Sequence, residues 1–182
     1  MNATPAIVPR LMLAACLLAL VTGCGSQADN AAADAEKKIE ARIDAPPPPA
    51  PPADATPIQV QPGPRGTQVK LMSAKVTEDV LTVQLVYAHA GGDYGDVPVS
   101  VPLPEVTLVD IALAQSYTLL KDAKGRWAAG PIDPNDRNRL NFTVGDHSTT
   151  VWMRFPAPSP DSHDITLNIP NVAAFEDIDA TR

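Results

Sequence analysis

Apolar residues fall into two regimes along this chain, with a polar and proline-rich stretch between them. Residues 11–21, Leu-Met-Leu-Ala-Ala-Cys-Leu-Leu-Ala-Leu-Val, form one unbroken apolar run. From residue 58 onward the apolar positions alternate instead. Leu81, Val83, Leu85 and Tyr87 alternate with Thr82, Gln84 and Val86. That period of two marks a strand with one buried face. Val69, Leu71 and Ser73 predict the inward side of an earlier strand, and Thr77-Glu78-Asp79 is the turn that joins the two as a hairpin. Val97–Val101 contains Pro98 and is followed by Pro102, so it is predicted as an edge strand. Further strands are predicted at Val106–Leu113, Ser116–Leu120, Leu140–Val144, Thr149–Phe155 and Ile165–Ile169, the last closed by Pro170. Loops at 91–96, 122–125, 130–139 and 156–162 separate them.

No segment beyond residue 58 holds a 3.6-residue period for three turns. Eight or so short strands with turns between them predict an all-β antiparallel sandwich over residues 58–182. Its predicted core is Leu81, Val83, Leu85, Val151, Met153, Phe155, Ile165, Leu167 and Ile169. Aromatic residues are only 4% of the chain, so this core must be largely aliphatic.

The N-terminal run has a different logic. Eleven helical residues span only about 16 Å, short of a bilayer core of roughly 30 Å, but they suit the apolar region of a signal peptide. The run leads into Leu20-Val21-Thr22-Gly23-Cys24, with Arg10 as the one charged side chain ahead of it. This stretch resembles the lipobox of a bacterial lipoprotein signal peptide. The resemblance implies that residues 1–23 are removed by cleavage after Gly23, and that Cys24 becomes the lipidated first residue. An uncleaved anchor or a buried helix is the alternative. In that family an aspartate after the cysteine marks inner-membrane retention. Gly25 and Ser26 stand here instead, which implies the outer membrane. Cys16 leaves with the signal, so the mature chain holds no thiol free for a disulfide or a metal site.

Residues 24–57 read as the lipidated cysteine and its disordered Ala/Pro-rich tether. Ala31–Ala45 carries Glu36, Lys37, Lys38, Glu40 and Arg42, and its apolar face reduces to Ile39 and Ile43, enough for a short fraying helix. Residues 45–53, Ala-Pro-Pro-Pro-Pro-Ala-Pro-Pro-Ala, favour an extended polyproline II rod. Such a rod serves as a spacer or as the ligand of a polyproline-binding groove. The spacer is preferred, because readers of that kind are not expected in a bacterial envelope.

Charge narrows the partners. Removing Arg10 with the signal takes the −7 of the whole chain to −8. Nucleic acid is excluded as a partner, since phosphate contacts need clustered cations. Adsorption to anionic lipid is excluded on the same ground, which leaves the lipid at Cys24 as the contact with the membrane.

Chemistry-bearing motifs are sparse. His89, His147 and His163 lack ligand spacing, and neither a metal nor a cofactor is expected. Asp133–Asn138 is oxygen-rich, but an EF-hand loop starting there would need glycine where Asn138 stands and glutamate where Val144 stands. It reads as a turn capped by its own side chains. Asp146-His147-Ser148 has the letters of a catalytic triad, but consecutive residues cannot converge as one. Gly91–Gly95 lacks the ending of a phosphate loop. Asp177 and Asp179 read as solvated on a mobile C-terminus.

Trp127 and Trp152 remain. If Val151, Met153 and Phe155 face inward, Trp152 and Arg154 face outward and make a candidate binding patch. The alternative is that Trp152 packs under the proline-rich connection 156–160.

The segments Leu108–Asp110, Ser116–Asp122, Gly125-Arg126, Val151–Pro158, Asp164–Pro170 and Ala174–Ile178 together resemble immunoglobulin-like (telokin-like) modules of bacterial extracytoplasmic proteins, over roughly residues 67–178. Many relatives of that kind carry cysteines after the Gly-Arg turn. Trp127-Ala128-Ala129 stand there in this chain, so no disulfide is implied. The resemblance implies a fold and a compartment and brings no catalytic residues.

The expectation is therefore a lipid-anchored outer-membrane protein presenting a non-catalytic sandwich that binds or scaffolds another envelope protein or a cell-wall glycan. The alternatives are an inhibitor or immunity lipoprotein against a cell-wall-degrading enzyme, and an envelope hydrolase.

Overall fold

A computed structural model describes residues 46–52, 54–91 and 95–182. The apolar run, the Leu20–Cys24 stretch and the Ala31–Ala45 segment lie outside the described residues, as does part of the 91–96 loop. Among the described residues no helix is long and apolar enough to cross a membrane.

The chain is all-β. Among the described residues ten strands follow one another: β1 (Gln59–Pro62), β2 (Thr67–Thr77), β3 (Val80–His89), β4 (Val97–Pro102), β5 (Thr107–Asp110), β6 (Gln115–Thr118), β7 (Ala129–Gly130), β8 (Arg139–Val144), β9 (Thr149–Pro156) and β10 (Ile165–Asn168). They form a five-stranded sheet in the order β1-β2-β3-β9-β7, a three-stranded sheet β10-β5-β6 and a pair β4-β8. All of these pairings are antiparallel. One apolar cluster joins the inward faces of the three sheets, and Tyr87 of β3 meets Phe142 of β8 edge to face at 5.0 Å. The fold is an antiparallel β-sandwich.

Every predicted core residue lies in the observed core, which also takes in β4, β8 and the C-terminal tail. Leu81, Val83, Leu85, Val151, Met153, Phe155, Ile165 and Leu167 are fully buried, and Ile169 nearly so. The β2–β3 hairpin turns at Glu78, whose φ of 55° lies in the left-handed region. The edge character of β4 also holds. Leu103 N–H donates to the Asn138 carbonyl, so the backbone N–H and C=O groups of the odd-numbered residues of β4 face β8. Pro98 and Pro102 thus put their missing donors on the unpaired side, where a proline costs no ladder bond.

Four expectations are corrected. First, Ser73 does not share a face with Val69 and Leu71. The register of β2 against β3 shifts between Leu71 and Ser73, so Met72 is an extra residue in a bulge. Beyond it Ala74 and Val76 turn inward, and Ser73 turns out. Second, β5 stops at Asp110 rather than running to Leu113. The buried Asp110 carboxylate accepts the Leu113 N–H at 3.1 Å and folds 111–114 into a turn, leaving Ile111 and Leu113 exposed. Third, the C-terminus is not loose. Phe175 and Ile178 belong to the core, and Phe175 bridges Leu167 of β10. Thr181 N–H donates to the Ala74 carbonyl, and the Thr181 carbonyl accepts from Val76. Asp177 and Asp179 do lie exposed on this docked tail. Fourth, Gln59–Pro62 is a strand that the alternation did not reveal, since it buries no residue completely. It is held by its pairing with β2 and by Gln59 and Gln61 side chains donating to the carbonyls of Glu176 and Ala174.

Candidate functional site

The outer face of the five-stranded sheet carries the patch that the sequence singled out. With Val151, Met153 and Phe155 inward, β9 turns Trp152 and Arg154 outward. In register, Trp152 lies between Gln84 of β3 and Gly130 of β7, and Arg154 lies opposite Thr82. The indole spreads across Gly130, and the Arg154 guanidinium sits 4.9 Å from the centre of the indole ring, within cation–π range.

Facing outward does not leave Arg154 exposed. Only 6% of its surface is accessible, because the proline run lies over it. Arg154 Nη2 donates to the Pro46 carbonyl at 2.9 Å. Loss of solvent holds the guanidinium pKa below its usual value, and the carbonyl and the indole face replace part of the lost hydration. The expectation of an open Trp–Arg patch is corrected accordingly: the patch exists, and residues of the same chain cover its arginine.

A second donor meets the run one strand away. Gln84 Nε2 donates to the Pro49 carbonyl at 2.7 Å, while Gln84 Oε1 accepts from the Ser73 hydroxyl at 3.0 Å. Ser73 thereby holds the amide in the orientation that presents its N–H to the proline. Ser73 reaches Gln84 because the bulge at Met72 turns it out of the core. Bulges often serve to redirect a side chain in this way. Pro48, Pro49, Ser73, Thr82, Gln84 and Arg154 line the resulting cavity of about 330 Å³.

Two further concavities lie elsewhere. Arg65, Tyr87, Ser100 and Asn171 help line a cavity of about 510 Å³. The buried Tyr87 hydroxyl finds no hydrogen-bond partner among the described residues, and burial pushes its pKa far up. The second, of about 390 Å³, lies beside Trp127, Arg126, Asp133 and Arg137. Its walls are built from aspartate-capped turns. Asp122 accepts the N–H groups of Lys124 and Arg126 and pairs with the Arg126 guanidinium. Asp133 accepts the Asn135 N–H and the Asn141 side-chain amide. Lys121 Nζ lies 3.8 Å from the centre of the Trp127 ring. The oxygen-rich 133–138 stretch is thus a pair of turns whose carboxylates accept their own backbone N–H groups.

His89 ends β3, whereas His147 and His163 are exposed in loops. Among the described residues no group of three His, Cys, Asp or Glu side chains is placed to hold a metal ion. Asp146 and His147 occupy the bend between β8 and β9, with Ser148 just before β9. No family model, no curated protein and no solved structure matches this chain.

Proposed function

We propose that this protein is a lipid-anchored component of a bacterial cell envelope that displays a non-catalytic β-sandwich as a binding or scaffolding module. The observation that carries the reading is Leu20-Val21-Thr22-Gly23-Cys24 at the end of an apolar run too short to span a bilayer. Cys24 takes the lipid, Gly23 precedes the cleavage, and Gly25-Ser26 directs the product to the outer membrane. The sandwich is of the immunoglobulin-like kind, whose faces present binding surfaces on a rigid support. Its partner is another envelope protein or a cell-wall glycan. The test is intact-mass analysis of the protein extracted from bacterial membranes. A chain beginning at a diacylglyceryl-modified Cys24 is expected, and Cys24→Ser should remain an unprocessed precursor. A retained signal or an unmodified Cys24 thiol in the wild-type chain sinks the reading.

A further inference from the structure

We propose that the outer face of the five-stranded sheet is a groove that recognises polyproline II peptide, and that residues 46–52 of the same chain are its resident ligand. The inference rests on reading the domain as a binding module, names the ligand class for that module, and replaces the expectation that the proline run is a spacer, since its Pro46 and Pro49 carbonyls accept from Arg154 and Gln84.

The argument begins with periodicity. A polyproline II helix has three residues per turn, so groups three residues apart point the same way. The two carbonyls that accept hydrogen bonds from the sheet belong to Pro46 and Pro49, one turn apart. Pro48 and Pro51, again one turn apart, are the half-buried residues of the 46–52 run, and the others are exposed. A proline run collapsed without specificity onto a surface would not repeat both features at the period of its own helix.

The sheet supplies what such a ligand needs. Proline has no N–H to donate, so its recognition depends on donors aimed at its carbonyls and on packing against its rings. Gln84 and Arg154 are diagonal neighbours on β3 and β9, and both donate. Each is held from behind: the Gln84 amide by Ser73, and the guanidinium by the Trp152 face. Holding the donors in place and using a stiff ligand both reduce the ordering entropy of docking. Beyond Pro52 the chain reaches the sheet edge, where Ile58 N–H donates to the Leu71 carbonyl and β1 begins. The run is therefore joined directly to the sheet that reads it, and its local concentration is set by a short connection. Tethering of that kind gives effective concentrations on the order of millimolar. A proline-rich strand from another molecule must displace the resident one.

The test uses the full chain in detergent and the fluorescein-labelled peptide Ala-Pro-Pro-Pro-Pro-Ala-Pro-Pro-Ala, with a Gly/Ala peptide of equal length as control. In one variant Pro46→Gly, Pro47→Ser, Pro48→Gly and Pro49→Ser remove the resident ligand and leave the groove. By fluorescence anisotropy this variant should bind the proline peptide saturably, with a change in tryptophan emission. The wild-type chain should bind it at least about 10-fold more weakly, because its own run competes. Adding Gln84→Ala to the emptied variant should weaken binding about 2- to 10-fold, the worth of one hydrogen bond. Thermal melting of each variant verifies that the sandwich is folded. The proposal is overturned if a folded, emptied chain binds the proline peptide no better than the control, if wild type and emptied chain bind alike, or if Gln84→Ala changes nothing. Intact mass at Cys24, read on the same preparations, reports on the anchor separately, so failure of the groove and failure of the anchor are distinguishable.

Discussion

Gly130 leaves bare the patch of backbone on which the Trp152 indole rests. A Cβ at residue 130 would stand 2.6 Å from Trp152 Nε1 and 2.9 Å from Cε2, inside any real contact distance. The φ of Gly130 is not positive, so space rather than backbone freedom calls for glycine here. Gly130→Ala must push the indole off β7, and the indole in turn lies against the Arg154 guanidinium. Overpacking of this sort costs about 1–3 kcal/mol. The expected outcome is a melting temperature lower by roughly 3–9 °C, taking about 3 °C per kcal/mol, together with an altered near-ultraviolet circular dichroism band. An unchanged melting temperature would mean that the indole has another place to go.

The last strand offers a sharper contrast. Leu167 is fully buried and bridges the equally buried Phe175, whereas Asn168 is half exposed beside it. Truncating a buried leucine to alanine costs about 2–5 kcal/mol. Leu167→Ala should lower the melting temperature by roughly 6–15 °C, and Asn168→Ala should move it little. Circular dichroism melts of the two variants settle the matter. A larger effect at Asn168 would contradict the assigned faces of β10.

Acid should weaken the loops around Trp127 first. Burial raises the Asp122 carboxyl, but the Arg126 N–H, the Arg126 guanidinium and the Lys124 N–H outweigh it, and the net pKa lies below the usual carboxylate value. Asp133 is also lowered, chiefly by the Asn135 N–H and the Asn141 amide. A carboxylate whose folded pKa is depressed stabilises the fold fully above its unfolded pKa, and that stability is lost as pH falls through the folded value. The melting temperature should therefore hold from neutral pH to about pH 5 and decline below about pH 4. Asp122→Asn and Asp133→Asn should each flatten that decline. A decline of equal steepness in both variants would assign the acid sensitivity to other carboxylates.

Strand identity and facing were legible wherever one face of a strand is apolar and the other polar. Period-2 alternation in β3, β9 and β10 picked out the core residues, because a side chain pointing inward must be apolar to be buried at no cost in lost hydration. The prolines of β4 marked an edge for an equally local reason. Alternation is silent where burial is incomplete, so β1 was not visible: its partners are β2 and a tail more than a hundred residues away. The apolar residues Phe175 and Ile178 gave no period of their own, and only their packing onto β10 showed that the tail is docked.

The site divides the same way. Local pattern alone determined that Trp152 and Arg154 lie on one outward face, and composition alone determined that residues 45–53 favour an extended rod. Their meeting was decided by tertiary structure. One inserted residue at Met72 rotates Ser73 outward, Ser73 orients Gln84, and Gln84 with Arg154 presents two donors to carbonyls three residues apart in the proline run. Within its own strand the bulge shows only as a slip in the alternation, from Val69 and Leu71 to Ala74 and Val76, which the small Ala74 makes faint. The slip acquires its meaning from the register against β3, which turns Ser73 toward Gln84 beneath the proline run.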